Sequence, residues 1–242
     1  MLKLGEKVIK SLYLGDKAIS KAYLGNKLIF TPSATTGHTE IEYLEGDSVS
    51  YINTGVIADS GLTIEMKLYV PAISGTTYVL GAYDGSQRFY PMYFSGGRIC
   101  NRMGTGSAYQ SVDGALKVGW HHFLMKTSKN TDVEDISGTT TGKAKSRVWE
   151  YVDGTPVLRI SNSMYSGTTS KDLYLFANNG NGSVLVGNTL FNDTTGYLRI
   201  PFCKIWNYEG KLIRDYISVQ KSDGVKCLYD KVESKYYEFQ TV

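Results

Sequence analysis

Short runs of alternating apolar and polar residues fill the chain from about residue 40 to its end, and turn residues separate them. Successive side chains of a strand point to opposite faces, so this period of two is typical of strands with one buried face. Asp153-Gly154 stands between two such runs and predicts a tight hairpin. No segment has a long apolar period of 3.6 residues, and at most one helical turn is expected, within 212–219. The clearest runs are 62–70, 78–82, 122–126, 147–152, 157–160, 173–177 and 197–206.

The first thirty residues contain a repeat with a period of ten residues. Leu-Gly, then Glu, Asp or Asn, then Lys occurs at 4–7, 14–17 and 24–27. Glycine suits the first central position of a two-residue type II′ turn, whereas each of these glycines would cost a helix about 1 kcal/mol. The repeat predicts a small β-meander with strands near 7–14, near 17–24 and from 27. Such a ribbon has little core, so we expect it to become ordered only by pairing with copies of itself or with another protein.

These patterns predict three segments and one fold class. Residues 1–30 form a β-repeat anchoring arm, the small polar residues 31–40 form a linker, and residues 41–242 form one sandwich domain, a size that all-β domains reach undivided. The expected class is all-β, a two-sheet antiparallel jelly-roll sandwich preceded by a short β-hairpin repeat arm. The aromatic residues expected to contribute to its core are Trp120, Phe123, Trp149 and Trp206.

Composition and charge exclude several partners. The chain has 19 Tyr and 26 Gly against 5 Pro, which favours strands and tight turns. The arm holds six Lys against two acidic residues, a local charge of +4, so the rest of the +3 chain carries −1. A near-neutral body argues against nucleic acid, and no run approaches the roughly 18–20 apolar residues of a membrane span.

Lys3, Lys7 and Lys10 break the apolar N-terminus, so we expect synthesis in the cytoplasm without a secretory signal. Cys100, Cys203 and Cys227 are expected to be buried thiols.

The order of motifs from about residue 40 to 242 resembles the concanavalin A-like lectin/glucanase superfamily in its laminin-G-like form. The motifs are Tyr-Leu-Glu at 43–45, Tyr-Ile-Asn-Thr-Gly-Val at 51–56, Leu-Thr-Ile-Glu-Met at 62–66, Gly-Trp-His-His-Phe at 119–123, Tyr-Val-Asp-Gly at 151–154, and Lys-Ile-Trp at 204–206 followed by Leu-Ile-Arg-Asp-Tyr at 212–216. The resemblance implies a jelly roll with lectin-like carbohydrate binding. The Tyr-Leu-Gly-Asp-Lys sequence at 13–17, and its looser copy at 23–27, resembles the starts of tailed-phage virion proteins, in which a variable surface domain follows.

Enzymatic residues are not apparent in the chain. The glucanase branch of the superfamily uses two Glu and one Asp that alternate along a strand, which places the carboxylates on one face. The nearest cluster here is 132–135, where Glu134 and Asp135 are adjacent and no second Glu follows. No nucleophile elbow and no phosphate-binding loop occurs either. We therefore expect no enzyme activity, and no effect from substituting Glu134 and Asp135 by Ala.

Metal and cofactor sites are not expected. His121 and His122 would point to opposite faces of a strand and could not bind one ion together. Laminin-G-like domains often bind calcium through loop Asp and Asn residues, so the resemblance leaves calcium open. The possible ligands are Asp84, Asn178, Asn179 and Asn181, although turns favour the same residue types.

The candidate binding surface lies between residues 83 and 109, where aromatic, Arg and Asn residues occur among glycines. Flat aromatic rings with planar polar side chains suit a glycan, and Tyr with Arg equally suits a protein interface or internal packing. Its members are Tyr83, Asp84, Arg88, Tyr90, Asn101, Arg102 and Tyr109. The residues expected to anchor the arm to its partner are Ile9, Tyr13, Ile19, Tyr23 and Ile29.

The sequence as a whole predicts a bacteriophage virion structural protein of the head or tail fibre or decoration type. The arm would attach it to other virion proteins, and the lectin-like domain would bind host surface glycans. A homo-oligomer, and specifically a trimer, is expected because the arm has exposed strand edges and little core. Two alternatives stay open: a purely structural capsid or tail stabilising protein without a ligand, and a cellular carbohydrate-binding protein.

Overall fold

The fold is described from a computed structural model. It describes residues 3–4, 7–8, 13–14, 17–18, 22–24, 27–30, 37–47, 49–59, 61–72, 75–104, 110–112, 116–128, 133–134, 145–146, 148–160, 168–180, 183–186 and 197–242. Every element assigned within these residues is a β-strand, and no helix there is long and apolar enough to span a membrane.

The arm contributes six short strands: β1 (Lys3–Leu4), β2 (Lys7–Val8), β3 (Tyr13–Leu14), β4 (Lys17–Ala18), β5 (Ala22–Leu24) and β6 (Lys27–Phe30). The next strands are β7 (His38–Glu40), β8 (Leu44–Glu45), β9 (Ser50–Asp59), β10 (Thr63–Val70), β11 (Thr76–Tyr83), β12 (Arg88–Ser95), β13 (Arg98–Gly104), β14 (Gln110–Val112), β15 (Gly119–Thr127), β16 (Val133–Glu134) and β17 (Lys145–Ser146). The last ten are β18 (Val148–Val152), β19 (Thr155–Ile160), β20 (Thr168–Leu175), β21 (Ala177–Asn179), β22 (Val184–Val186), β23 (Arg199–Trp206), β24 (Leu212–Lys221), β25 (Lys226–Asp230), β26 (Lys235–Tyr237) and β27 (Gln240–Thr241).

Two large sheets form the sandwich. The first sheet has the order β19-β18-β15-β10-β23-β24-β25-β26, with β8 beside β23. The second has the order β14-β13-β12-β11-β20-β9-β27, with β21 lying parallel beside β11 and β22 beside β21. The predicted class, an all-β sandwich of two antiparallel sheets preceded by β-hairpins, is confirmed. Residues 212–219, where at most one helical turn was expected, contain none, because they lie in the continuous strand β24.

The core lies between the two sheets and follows the alternation of the strands. In β10, Ile64, Met66 and Leu68 are buried, while the residues between them face the other side of the sheet. Phe94 of the second sheet contacts Phe123 of the first, with ring centroids 6.0 Å apart. Phe123 and Trp149 are buried as expected. The core assignments of Trp120 and Trp206 are wrong. Trp120 is 37% exposed and Trp206 is half-buried, because they lie in the outward-facing rows opposite Tyr69 and Thr63.

The Asp153-Gly154 hairpin and the buried thiols are confirmed. Asp153 and Gly154 both have positive φ, 51° and 78°, and join β18 to β19 with Val152 opposite Thr155. This geometry is that of a type I′ turn, which Asp-Gly sequences favour. Cys100, Cys203 and Cys227 are buried and free.

The chain divides into two compact units. One comprises residues 1–39 with 220–225, and the other comprises residues 40–219 with 226–242. In the first unit the arm forms three hairpins, and in each of them a Leu pairs with the Lys three positions later, at 4 and 7, 14 and 17, and 24 and 27. Two residues therefore separate the paired strands of each hairpin, as the Gly-containing turns predict. Ser222 N donates to Gly37 O within the same unit.

Candidate functional site

The outward face of the first sheet carries aromatic and charged side chains in register across three strands. The outward row of β10, the central strand of the three, is Thr63, Glu65, Lys67 and Tyr69. In the same order, the residues opposite them on β15 are Lys126, Leu124, His122 and Trp120. On the other side of β10, the residues opposite them on β23 are Trp206, Lys204, Phe202 and Arg199. Tyr43 and Glu45 adjoin this face at the Arg199 end. We call the set Tyr43, Tyr69, Trp120, Phe202 and Trp206, with the charged side chains between them, the aromatic strip.

Trp120 is the most exposed ring at one end of the aromatic strip. Its centroid lies 5.5 Å from that of Tyr69 in an edge-to-face contact and 6.0 Å from that of Tyr43. Lys67 Nζ lies 5.3 Å from the Trp120 ring. Edge-to-face rings fix one another's orientation, and a cation near the ring attracts its negative face. This end of the strip is therefore a rigid, partly exposed aromatic surface with a positive charge beside it.

Arg199 lies between two aromatic rings at the same end. Its guanidinium carbon lies 4.8 Å from the Tyr43 ring and 5.1 Å from the Tyr69 ring. Its Nε donates a hydrogen bond to Glu45 Oε2, and this contact raises the pKa of Arg199 further above its ordinary value. Arg199 pairs with Glu45 because β8 runs beside β23, which brings together residues far apart in the chain. The side chain stays permanently charged and is held in one orientation.

The middle of the strip contains charged contacts, and its other end contains a hollow. His122 Nε2 lies 2.8 Å from Glu65 Oε1, and Lys204 Nζ lies 5.8 Å from the Phe202 ring. At the far end a hollow of about 310 Å³ is lined by Thr63, Leu124, Trp206 and Gly210. Thr63 and Tyr69 are six residues apart on one strand, so the strip extends for about 20 Å at 3.3 Å per residue. An elongated ligand of several rigid rings would fit its length.

A separate cleft of about 460 Å³ lies beside Tyr237 and the middle of β9. It is lined by Asn53, Gly55, Arg214, Glu233, Lys235, Tyr236, Tyr237, Glu238 and Gln240. Arg214 Nη1 lies 2.6 Å from Glu233 Oε1, and its Nε lies 3.7 Å from Asp230 Oδ2. Arg214 also donates to the carbonyl oxygens of Thr54 and Gly55, both at 3.2 Å. The guanidinium thus joins β24 of the first sheet to β9 of the second.

Tyr237 of this cleft and the neighbouring Tyr216 are held in their neutral form. Burial, together with the hydrogen bond to Glu233, raises the pKa of Tyr237 to about 12. The Tyr237 hydroxyl donates to Glu233 Oε2 at 2.6 Å and lowers the pKa of that carboxyl. Burial also raises the pKa of Tyr216, which donates to Thr54 O at 2.6 Å. The Arg214 guanidinium, the Glu233 carboxylate and the Tyr237 hydroxyl satisfy one another, and this arrangement is that of a structural clamp.

Three of the predicted surface residues lie together at the turn between β11 and β12. Tyr83 pairs with Arg88 in the hairpin, and the Arg88 guanidinium lies 5.1 Å from the Tyr83 ring. Asp84 Oδ1 accepts hydrogen bonds from Gln87 N, Ser86 N and Ser86 Oγ. The bond from Gln87 is the main reason that the pKa of Asp84 is lowered to about 2. The Asp84 carboxylate therefore serves first to close this turn.

The remaining predicted surface residues are distributed differently. Tyr90 pairs with Arg102 across β12 and β13, whereas Asn101 is fully buried and donates to Pro91 O at 2.8 Å. Asn101 faces the core because it lies on the same face of β13 as the buried Ile99 and Met103, which are two positions before and after it. Tyr109 lies outside the described residues. The structure therefore does not place the seven predicted residues on a single surface.

The possible calcium ligands also differ from one another in burial and in their contacts. Asn178 is fully buried, and Asn179 Nδ2 donates to Asp172 O at 3.0 Å. Asn181 lies outside the described residues. Among the described residues, no group of three or more His, Cys, Asp or Glu side chains is arranged to hold a metal ion. His121 and His122 point to opposite faces of β15, where they contact Asp153 and Glu65 respectively.

Some of the predicted anchoring residues, and one residue of the acidic cluster at 132–135, lie in described strands. Tyr13, Tyr23 and Ile29 belong to β3, β5 and β6, and Ile9 and Ile19 lie outside the described residues. Glu134 belongs to β16 and pairs with Lys145, while Asp135 lies outside the described residues.

The aromatic strip was not predicted from the sequence. Tyr69, Trp120 and Arg199 come from three different strands, and only the strand order brings them together. A signal was present in 63–69, where the residues between the buried Ile, Met and Leu are Thr, Glu, Lys and Tyr. A Tyr in an otherwise polar outward row indicates an exposed aromatic side chain.

No protein-family model and no curated protein matches the chain. Among solved structures, the chain is similar to the CBM40 of an IT-sialidase from Ruminococcus gnavus, with 10% identity and a TM-score of 0.46 over 69% of this chain and 90% of that one. It is also similar to β-agarase A from Zobellia galactanivorans, with 10% identity and a TM-score of 0.42 over 70% and 72% of the two chains. A third likeness, to β-agarase A in complex with oligoagarose, has 9% identity and a TM-score of 0.41 over 69% and 75%. No statement about the ligand of this chain follows from them.

Proposed function

We propose that the protein is a lectin-like bacteriophage virion component, in which the sandwich binds an oligosaccharide of the host surface and the arm attaches the protein to the particle. The aromatic strip is the observation that carries the glycan-binding part of this proposal. The arm repeat and its resemblance to the starts of tailed-phage virion proteins support the virion part. Homo-oligomerisation, with a trimer as the expected form, belongs to the same proposal.

The aromatic strip has the features that a sugar-binding surface requires. Sugars present flat patches of C–H groups, which pack against aromatic rings, and hydroxyls, which bond to planar polar side chains. Trp120 is 37% exposed and Tyr69 holds its ring at a fixed angle, so little side-chain entropy would be lost on binding. Arg199, Glu65 and His122 supply donors and acceptors beside the rings. An exposed aromatic surface rimmed by polar side chains is typical of an interaction site.

A glycan array tests this function with Trp120→Ala and a matched control, Tyr83→Ala. Both variants remove an aromatic ring that has a cation beside it, but Tyr83 lies on the second sheet. We expect Trp120→Ala to lower glycan affinity by at least about tenfold, as for a central aromatic contact, and Tyr83→Ala to bind normally. A loss of glycan binding in Tyr83→Ala alone would indicate that the site is at the β11–β12 turn and not at the aromatic strip. Absence of binding to any glycan by the wild-type protein would favour a purely structural virion role.

Deleting residues 1–30 tests the anchoring part. The paired strands of the arm hairpins are only two to four residues long, and a ribbon of this size is marginal by itself, so a partner would have to cover their edges. We expect the shortened protein to melt cooperatively, to bind the same glycans and to be absent from assembled particles. Normal occupancy on particles would place the anchor in the sandwich. Sedimentation of the full chain checks the trimer, and a strict monomer would contradict it.

We also propose that the protein has no hydrolase activity. The acidic cluster at 132–135 lacks the alternating carboxylates that the glucanase mechanism uses. Replacing Glu134 and Asp135 by Ala should leave glycan binding unchanged. Release of reducing sugar from a bound polysaccharide would contradict the proposal.

A further inference from the structure

The Trp120 end of the aromatic strip presents hydrogen-bond donors that the protein does not use. Arg199 donates through Nε to Glu45, and its ring contacts are those with Tyr43 and Tyr69. Within the described part of the chain, its Nη1 and Nη2 groups have no recorded acceptor. A guanidinium has five N–H donors, so the Nη side keeps four of them. The side chain is 32% exposed, which leaves this side accessible to a ligand.

The charge around this end is positive. Lys67 forms a cation–π contact with Trp120, and no carboxylate among the described residues pairs with it. Glu65, the nearest acidic residue on the same strand, contacts His122 instead. Glu45 is the one acidic partner that Arg199 has in the described structure, and it occupies the Nε position. This end of the strip therefore carries two cations, Lys67 beside Trp120 and Arg199 beside Tyr43 and Tyr69, against a single carboxylate that pairs with Arg199.

We propose that this end is an anion subsite: the Nη edge of Arg199 binds a carboxylate or sulfate group of an acidic oligosaccharide while the sugar ring packs on Trp120. This inference rests on the proposed glycan binding and names the class of glycan. A planar guanidinium matches a carboxylate or a sulfate with two parallel hydrogen bonds, which a Lys ammonium cannot do. The Tyr43 and Tyr69 rings hold the guanidinium in place before the ligand arrives, so binding costs little ordering. Lys67 adds attraction for any anion bound there.

Calorimetry with the full chain tests the anion subsite, using a neutral oligosaccharide, its uronic acid counterpart and its sulfated counterpart. We expect the wild-type protein to bind at least one acidic form about tenfold or more tightly than the neutral form at low salt, as a desolvated charge pair allows. Arg199→Gln should remove this preference, so that the acidic and neutral forms bind with similar affinity. Arg199→Lys keeps the charge without the planar fork and should restore only part of the preference. Comparing the uronic acid and sulfated ligands identifies which anion the subsite takes.

Lys67→Gln and Lys226→Gln complete the test. Both lysines are exposed, but Lys226 is on β25, outside the strip. Lys67→Gln should reduce the preference for the acidic ligand by a few-fold, and Lys226→Gln should leave it unchanged. A wild-type protein that binds neutral and acidic forms equally, with Trp120→Ala abolishing both, would overturn the anion subsite and leave the proposed function standing. Retention of the preference in Arg199→Gln would overturn it equally. Failure to bind any oligosaccharide would instead reject the proposed function.

Discussion

Replacing Arg214 by Met should destabilise the sandwich more than any surface substitution. Methionine keeps much of the apolar stem of the side chain and removes the guanidinium. The change takes away both carbonyl hydrogen bonds to β9 and the ion pair with Glu233. It also leaves Asp230, which is 0% exposed, without its only cationic partner among the described residues.

The size of the expected loss in unfolding free energy follows from the burial of the Asp230 carboxylate. Removing one partner of a buried ion pair costs about 3–5 kcal/mol, because the remaining charge has neither solvent nor a counter-ion. Asp230 Oδ1 keeps its bonds from Asp215 N and Val232 N, but Oδ2 has no hydrogen-bond partner in the described structure. For a domain of roughly 200 residues, 1 kcal/mol changes Tm by about 2–4 °C, so Tm should fall by about 6–20 °C.

Urea unfolding and scanning calorimetry at pH 7 measure this effect. Arg199→Gln is the matched control, since its partner Glu45 is 40% exposed and an exposed pair contributes about 0–1 kcal/mol. Adding Asp230→Asn to the Arg214→Met variant removes the stranded charge and should recover part of the loss. A loss below about 1 kcal/mol for Arg214→Met, or no recovery in the double variant, would refute the role of the buried charge.

Two further predictions concern titration. Glu150 is fully buried, neither carboxyl oxygen has a hydrogen-bond partner among the described residues, and burial raises its pKa well above the usual range. Because the unfolded chain loses this proton at about pH 4.3 and the folded chain keeps it, stability should fall as pH rises from there towards the folded pKa. Glu150→Gln should flatten this dependence and be the more stable form at pH 8; equal slopes in urea unfolding would contradict it. The pKa of Asp84, lowered to about 2, contributes stability that is present above its unfolded pKa of about 3.9 and is lost as pH falls through 2. An NMR titration midpoint near 4 would show that the Gln87 hydrogen bond is absent in solution.

Much of the fold was accessible from local patterns. Alternation in 62–70 and the Asp153-Gly154 turn depend on residues that are neighbours in the chain, and each forms as predicted. The two-residue loops of the arm follow from the Leu-Gly repeat for the same reason. Period and turn chemistry act within a few residues, so they can be recognised without knowing the strand order.

The face of a strand was harder to predict than its existence. In β15 the row containing Phe123 and Met125 is buried, but the other row also carries apolar residues, Trp120 and Leu124. A large ring is usually buried, and this average favoured the core for Trp120. Its pairing with Tyr69 of β10, which is paired in turn with Arg199 of β23, shows that aromatic residues also cover the outside of this sheet.

The buried position of Asn101 has a specific cause that composition conceals. The register between β12 and β13 shifts between Tyr90 and Tyr93, which removes Pro91 from the regular ladder. Proline in a sheet is found at such irregular positions because it has no N–H to donate. Asn101 Nδ2 donates to the Pro91 carbonyl, so a polar side chain in the core satisfies a backbone group that the shift leaves unpaired.

Arg199 and Arg214 show why a residue type alone does not reveal its role. Both are in strands of the first sheet and both contact aromatic rings. Arg214 faces two carboxylates and three backbone carbonyls, two of them on β9, and its side chain is only 13% exposed, so its donors are committed to joining the two sheets. Arg199 has one carboxylate and two rings beside it, which fix its orientation and leave the Nη edge open. The number of acceptors that the strand register supplies, rather than the arginine itself, distinguishes the structural clamp from the proposed binding residue.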